Sequence, residues 1–149
     1  MSESWLIKNT FHHSLFSDIG RLVREKEEKG LTISVAFPTI NEESTIAEEI
    51  RIVKSQLMDS YPLVDEIAII DGGSTDRTVE AALEAGADAH IAEQCLTHLG
   101  SSAGKGENLW KSLYLLKGDL IVWIDADIKN MHPKFVYGLV GPLLTFPEL

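Results

Sequence analysis

Cysteine is nearly absent: Cys95 stands alone among 149 residues, so neither an internal disulfide nor a four-cysteine zinc cluster is available. Basic residues are few as well. Lys and Arg total 13 against 23 Asp and Glu, a net charge of −10, which leaves no broad basic surface for nucleic acid or anionic lipid. No segment approaches the ~20 consecutive apolar residues of a membrane span. Residues 1–10 break their apolar positions with Glu3, Lys8 and Asn9, unlike a signal peptide. Two nucleotide-binding signatures are missing. Pro38-Thr-Ile-Asn-Glu stands where a GxGxxG fingerprint would follow the first strand, and a P-loop through Lys105 would need glycine at Leu99 and Ser or Thr at Gly106. The exclusions point to an acidic, soluble, cytoplasmic chain with neither nucleic-acid nor membrane partners.

What is present suits one compact domain. Hydrophobic residues make up 44% and charged residues 24% of the chain, with 5 prolines and 11 glycines, enough to bury a core at this length. Leu15, Phe16, Ile19, Leu22 and Val23 recur at helical spacing with Ser14 as a cap, and the charged run 24–29 before Gly30 suits a solvated last turn. Residues 1–30 are thus expected to form an N-terminal helical arm, and 31–149 the domain proper. Within it, strands are expected at 33–37, 66–70, 87–92 and 120–124, the last buried on both faces. Helices are expected through Ile46–Leu57, Val79–Leu83 and Leu109–Leu116, and after Pro133, the last kinked or stopped at Pro142; Trp110 and Trp123 are expected in the core. Alternating β and α predicts an α/β fold, a Rossmann-like, mostly parallel sheet flanked by helices, with ligands outside the carboxyl ends of its strands.

Polar clusters gather at those ends. Asp125-Ala-Asp127 follows the last strand, and carboxylates two apart on extended chain project to one side. They suit Mg²⁺ or Mn²⁺, which take one or two protein carboxylates and complete their shell with water and phosphate oxygens. The same pair would equally serve as strand-end caps. Asp71-Gly-Gly-Ser-Thr-Asp76 would let a nucleobase or ribose approach Asp71 and Gly72, or simply make a tight turn and helix cap. Pro38, Asn41, Glu42 and Glu43 form a third cluster, which helix capping would also explain. Lys105, between Gly104 and Gly106, is either an anion or base contact or an exposed lysine. Asp125 also resembles the phosphoryl nucleophile of haloacid-dehalogenase-type phosphatases, although Lys129 departs from that pattern.

Taken in order, Pro38-x-x-Asn41-Glu42-Glu43, Asp71-Gly-Gly-Ser-Thr-Asp76, Gly104-Lys-Gly106-Glu107 and Asp125-Ala-Asp127 resemble the nucleotide-sugar half of GT-A glycosyltransferases. Gly104-Lys-Gly-Glu-Asn-Leu-Trp-Lys-Ser112 and His132-Pro-Lys-Phe-Val-Tyr-Gly-Leu-Val-Gly-Pro-Leu-Leu144 look more closely like the glucosyl-3-phosphoglycerate synthase family, retaining enzymes. The resemblance runs from Trp5 to the end of the chain. It implies transfer of glucose from UDP-glucose to D-3-phosphoglycerate with Mg²⁺ or Mn²⁺ on the diphosphate. Pro38, Asn41 and Glu42 would then line the uridine pocket, Asp71 and Gly72 flank the uracil and Lys105 touch the base. Asp125 would reach the ribose or metal shell, and Asp127 the metal. Gly72 stands where the family often has Ser. Family members are longer and carry the acceptor site in their later half, so the chain is expected to be the donor-binding half, with a non-catalytic UDP-sugar-binding relative as the alternative. An uncovered sheet edge would favour self-association.

Overall fold

The computed structural model describes residues 3–100, 104–146 and 148. In chain order the elements are α1 (Glu3–Lys8), α2 (Ile19–Lys29), β1 (Ile33–Thr39), α3 (Ile46–Lys54), β2 (Glu66–Asp71), α4 (Thr78–Ala85), β3 (Asp88–Ile91), α5 (Lys105–Leu115), β4 (Leu120–Trp123) and α6 (Lys134–Thr145). A 3₁₀ turn over His13–Phe16 precedes α2, and a π-helical turn over Ser55–Asp59 extends α3. No helix among the described residues is long and apolar enough to cross a membrane.

The strands form one parallel sheet in the order β3-β2-β1-β4. Ile33, Val35 and Phe37 of β1 are fully buried on one face with Ile67 and Ile69 of β2, against α2, α3, α4 and α6. Ala36, Ala68 and Leu116 form a smaller cluster on the other face, where α5 packs. Two alanines there let the helix come close to the sheet. The expected α/β architecture, with helices on both faces, is therefore borne out. From β1 the chain steps outward to β2 and β3, then returns to the other side of β1 for β4. In such sheets the crevice opens where the strand order reverses, here between the carboxyl ends of β1 and β4.

Five local expectations are corrected. The N-terminal apolar stretch is broken before α2, whose cap is Asp18, accepting from the Arg21 N–H at 2.9 Å, and not Ser14. Lys26, within the charged run expected to be solvated, is buried. Its Nζ donates to both Asp65 carboxylate oxygens and to the Pro62 carbonyl, each at 2.8 Å. Strand β4 is not buried throughout: Leu120 and Ile121 are half-buried and Trp123 is 42% exposed. Trp123 lies at the end of this edge strand, outside the core, and its Nε1–H donates to the Ser112 hydroxyl of α5 at 2.9 Å. Of the two outcomes expected at Pro142, the stop does not occur: helix α6 continues to Thr145, held by Val136, Val140 and Leu144, which are buried in the main core.

Candidate functional site

The loop after β1 turns sharply at Asn41, whose φ of 56° lies in the left-handed region, a conformation Asn tolerates better than most side chains. Asn41 Oδ1 accepts from the Thr75 N–H at 2.9 Å, and its own N–H donates to the Ser74 hydroxyl at 2.8 Å. Next to it, the Glu42 N–H donates to the Thr78 hydroxyl at 2.7 Å and the Arg77 N–H donates to Glu43 Oε2 at 2.9 Å. These bonds lace the loop after β1 to the loop after β2.

Asp71 organises that second loop from below. It is buried, and its Oδ1 accepts from the Gly73 and Ser74 N–H groups at 3.0 and 2.8 Å. Its Oδ2 accepts from the Thr39 and Ser74 hydroxyls at 3.0 and 2.5 Å. Both oxygens are thus engaged by the protein, and the residue it leaves at the surface of the crevice is Gly72.

A cavity of about 270 Å³ opens at the predicted place, between the carboxyl ends of β1 and β4. Pro38, Glu42, Gly72, Lys105, Asp125 and Asp127 all line it. Asn41 and Asp71 do not; their side chains hold the loops that shape it. Asp125 and Asp127 are exposed to either side of buried Ala126, but a turn at 126–127 beyond the end of β4, and not the extended chain expected, presents them. Lys105, at the first position of α5, makes an ion pair with Asp125. Burial, then the charges of Asp127 and Asp76, push the Glu42 carboxyl above its ordinary value. This crowding of carboxylates is what a divalent cation would relieve. Among the described residues no three His, Cys, Asp or Glu side chains converge on one point.

Two residues that belong to this region were not singled out by sequence. Asn108 lines the cavity, with Nδ2 donating to the Ile70 carbonyl at 2.9 Å. Its signal is its place one helical turn after Lys105. Glu49 is buried on α3 beneath the loop 125–128. Its signal is a carboxylate among Ile46, Ile50 and Val53 on an otherwise apolar stripe.

The family model for glycosyl transferase family 2 matches residues 34–146. The chain belongs to that family. The phosphatase reading of Asp125 gives way to it. Within the family, the chain is 58% identical over 144 residues to the glucosyl-3-phosphoglycerate synthase of Petrotoga mobilis, covering 97% of this chain and 44% of the relative. The crystal structure of mannosyl-3-phosphoglycerate synthase from Rubrobacter xylanophilus superposes with a TM-score of 0.92 at 31% identity, over 97% of this chain and 46% of that one. The Mycobacterium tuberculosis glucosyl-3-phosphoglycerate synthase, solved with Mn²⁺, UDP-glucose and phosphoglyceric acid, gives a TM-score of 0.78 at 48% identity over 86% of this chain and 44% of that one. The chain spans less than half the length of each.

Proposed function

We propose that this chain forms the UDP-glucose and divalent-cation site of a retaining glucosyltransferase that glucosylates D-3-phosphoglycerate. The observation that carries the reading is the gathering of Glu42, Gly72, Lys105, Asp125 and Asp127 around one cavity at the strand-order reversal, in a chain 58% identical to a glucosyl-3-phosphoglycerate synthase.

Pro38 and Glu42 line the uridine end of the cavity, and Asn41 keeps that loop in place. Gly72 lets the uracil lie close to the backbone, with Asp71 holding the turn beneath it. Lys105 reaches the base, and its ion pair orients Asp125 towards the ribose and the metal shell. Asp127 is the direct ligand to Mg²⁺ or Mn²⁺. When bound, such an ion neutralises charge on the diphosphate and so favours its departure. The cavity's own charge is negative, which explains why an anionic donor would need the ion to enter. The acceptor, 3-phosphoglycerate, is assigned by likeness to the synthases.

Calorimetric titration of the purified chain with UDP-glucose, with and without Mg²⁺, tests the donor site. Binding that requires Mg²⁺ and disappears in Asp127→Ala is the expected result. Failure to bind with either Mg²⁺ or Mn²⁺ would overturn the proposal. Product formation from UDP-glucose and 3-phosphoglycerate is the separate test of transfer, and binding without turnover would reduce the chain to a donor-binding module.

A further inference from the structure

Gly72 and Asn108 share one space. A Cβ at position 72 would lie 3.3 Å from Asn108 Nδ2, tighter than ordinary van der Waals contact, and 3.4 Å from the Thr39 carbonyl oxygen, at the limit of such contact. The amide of Asn108 occupies the room that a side chain at 72 would otherwise need. Both residues line the cavity.

The orientation of that amide is fixed. The Ile70 carbonyl can only accept, so the group 2.9 Å from it is the nitrogen. The oxygen, Oδ1, accepts no hydrogen bond among the described residues and is not sealed from solvent. It is an acceptor open to the cavity. A flip of the amide would set two oxygens against each other, so this acceptor cannot readily be exchanged for a donor.

We propose that Asn108 is a specificity-determining residue that reads the base of the donor nucleotide, with Oδ1 accepting the imide N–H of uracil beside Gly72. The inference rests on the donor-site reading above and deepens it. Uracil presents a donor at N3, whereas cytosine presents a lone pair there. The fixed Asn108 acceptor therefore favours UDP over CDP, because the wrong base leaves two acceptors facing each other. The pairing also accounts for glycine at 72: the polar group that a Ser there would bring to the cavity comes instead from α5.

The test is titration of the purified chain with UDP and CDP in the presence of Mg²⁺, for the natural sequence, Asn108→Ala, Gly72→Ser and the double variant. The natural chain is expected to prefer UDP by about tenfold or more, the worth of one well-placed hydrogen bond. Asn108→Ala should bring the UDP:CDP ratio to within about twofold. Gly72→Ser should displace the amide and so weaken UDP binding more than CDP binding, lowering the ratio, and the double variant should bind UDP no worse than either single change, because Ser then has room. A folded Asn108→Ala chain that keeps its UDP:CDP ratio overturns the assignment while leaving the donor site standing. Should Asn108→Ala fail to fold, an unchanged ratio in Gly72→Ser overturns it in the same way. Absence of UDP binding by the natural chain overturns both readings.

Discussion

Glu49 Oε1 accepts the backbone N–H of Ile128 at 3.0 Å, which ties the middle of α3 to the residue after Asp127. The other oxygen, Oε2, is buried without a hydrogen-bond partner. Burial pushes this carboxyl up to about 7; the Ile128 N–H pulls it down, and the charges of Asp127, Glu42 and Asp125 push it further up. Between about pH 4.5 and 7 the folded chain therefore holds a proton that the unfolded chain has released, and stability falls as pH rises through that window. The shift corresponds to about 3 kcal/mol. Glu49→Gln retains an acceptor for Ile128 and cannot ionise. Thermal melts without metal should show the natural chain losing stability from pH 5 to 7.5 and the variant nearly level. Parallel curves would refute the assignment.

Asp127 stands over this buried group and beside Glu42, and it raises both carboxyls. Asp127→Asn removes that charge. In metal-free buffer near pH 7 the variant should melt higher than the natural chain, by the equivalent of about 1 kcal/mol. It should also lose the Mg²⁺ dependence of UDP-glucose binding. Differential scanning calorimetry paired with titration checks both, and a lower melting temperature would show that the repulsion is not what limits stability there.

Much of this arrangement was legible in the sequence, because strand-ending motifs and period-two alternation depend on near neighbours. Asp125 and Asp127 line the cavity because they follow directly on β4, although a turn at 126–127 rather than extended chain presents them. The misreadings arose where the decisive partner is distant in sequence. Lys26 looked solvated because Asp65, its partner, lies on the other side of β1. Trp123 looked like core because Ser112, which takes its indole N–H, belongs to α5, a different element. Asp71 was expected in the crevice, yet Thr39 and its own turn claim both its oxygens. Asn108 went unnoticed because its role depends on where α5 lies against the end of β2.

The Lys26–Asp65 pair gives a prediction about folding, independent of the site. Besides Lys26, Asp65 Oδ2 accepts the Ile33 N–H at 2.8 Å, so the pair clamps α2 against the start of β1. Lys26→Met keeps the apolar stem but leaves the Pro62 carbonyl and Asp65 without their cation. Charged hydrogen bonds of this kind are worth about 2 kcal/mol. Urea denaturation should show a loss of that order with an unchanged slope, and an unaltered midpoint would mean that the clamp contributes nothing.

Helix α6 approaches the N-terminal segment at Gly141, where a Cβ would lie 2.3 Å from Phe16 Cγ. That contact cannot be absorbed by a flexible side-chain end, because the Phe16 ring is itself buried and packed edge-on against Phe11 and Phe146. Gly141→Ala improves intrinsic helix propensity by about 1 kcal/mol, while overpacking of a filled core costs about 1–3 kcal/mol. The clash decides the sign here, since the intruding atom meets the ring rather than solvent. The alanine variant should unfold at lower urea concentration, and adding Phe16→Leu should restore part of the loss by opening the space in front of position 141. Equal midpoints for Gly141→Ala and the natural chain would mean that the segment before α2 shifts freely and is not locked to α6.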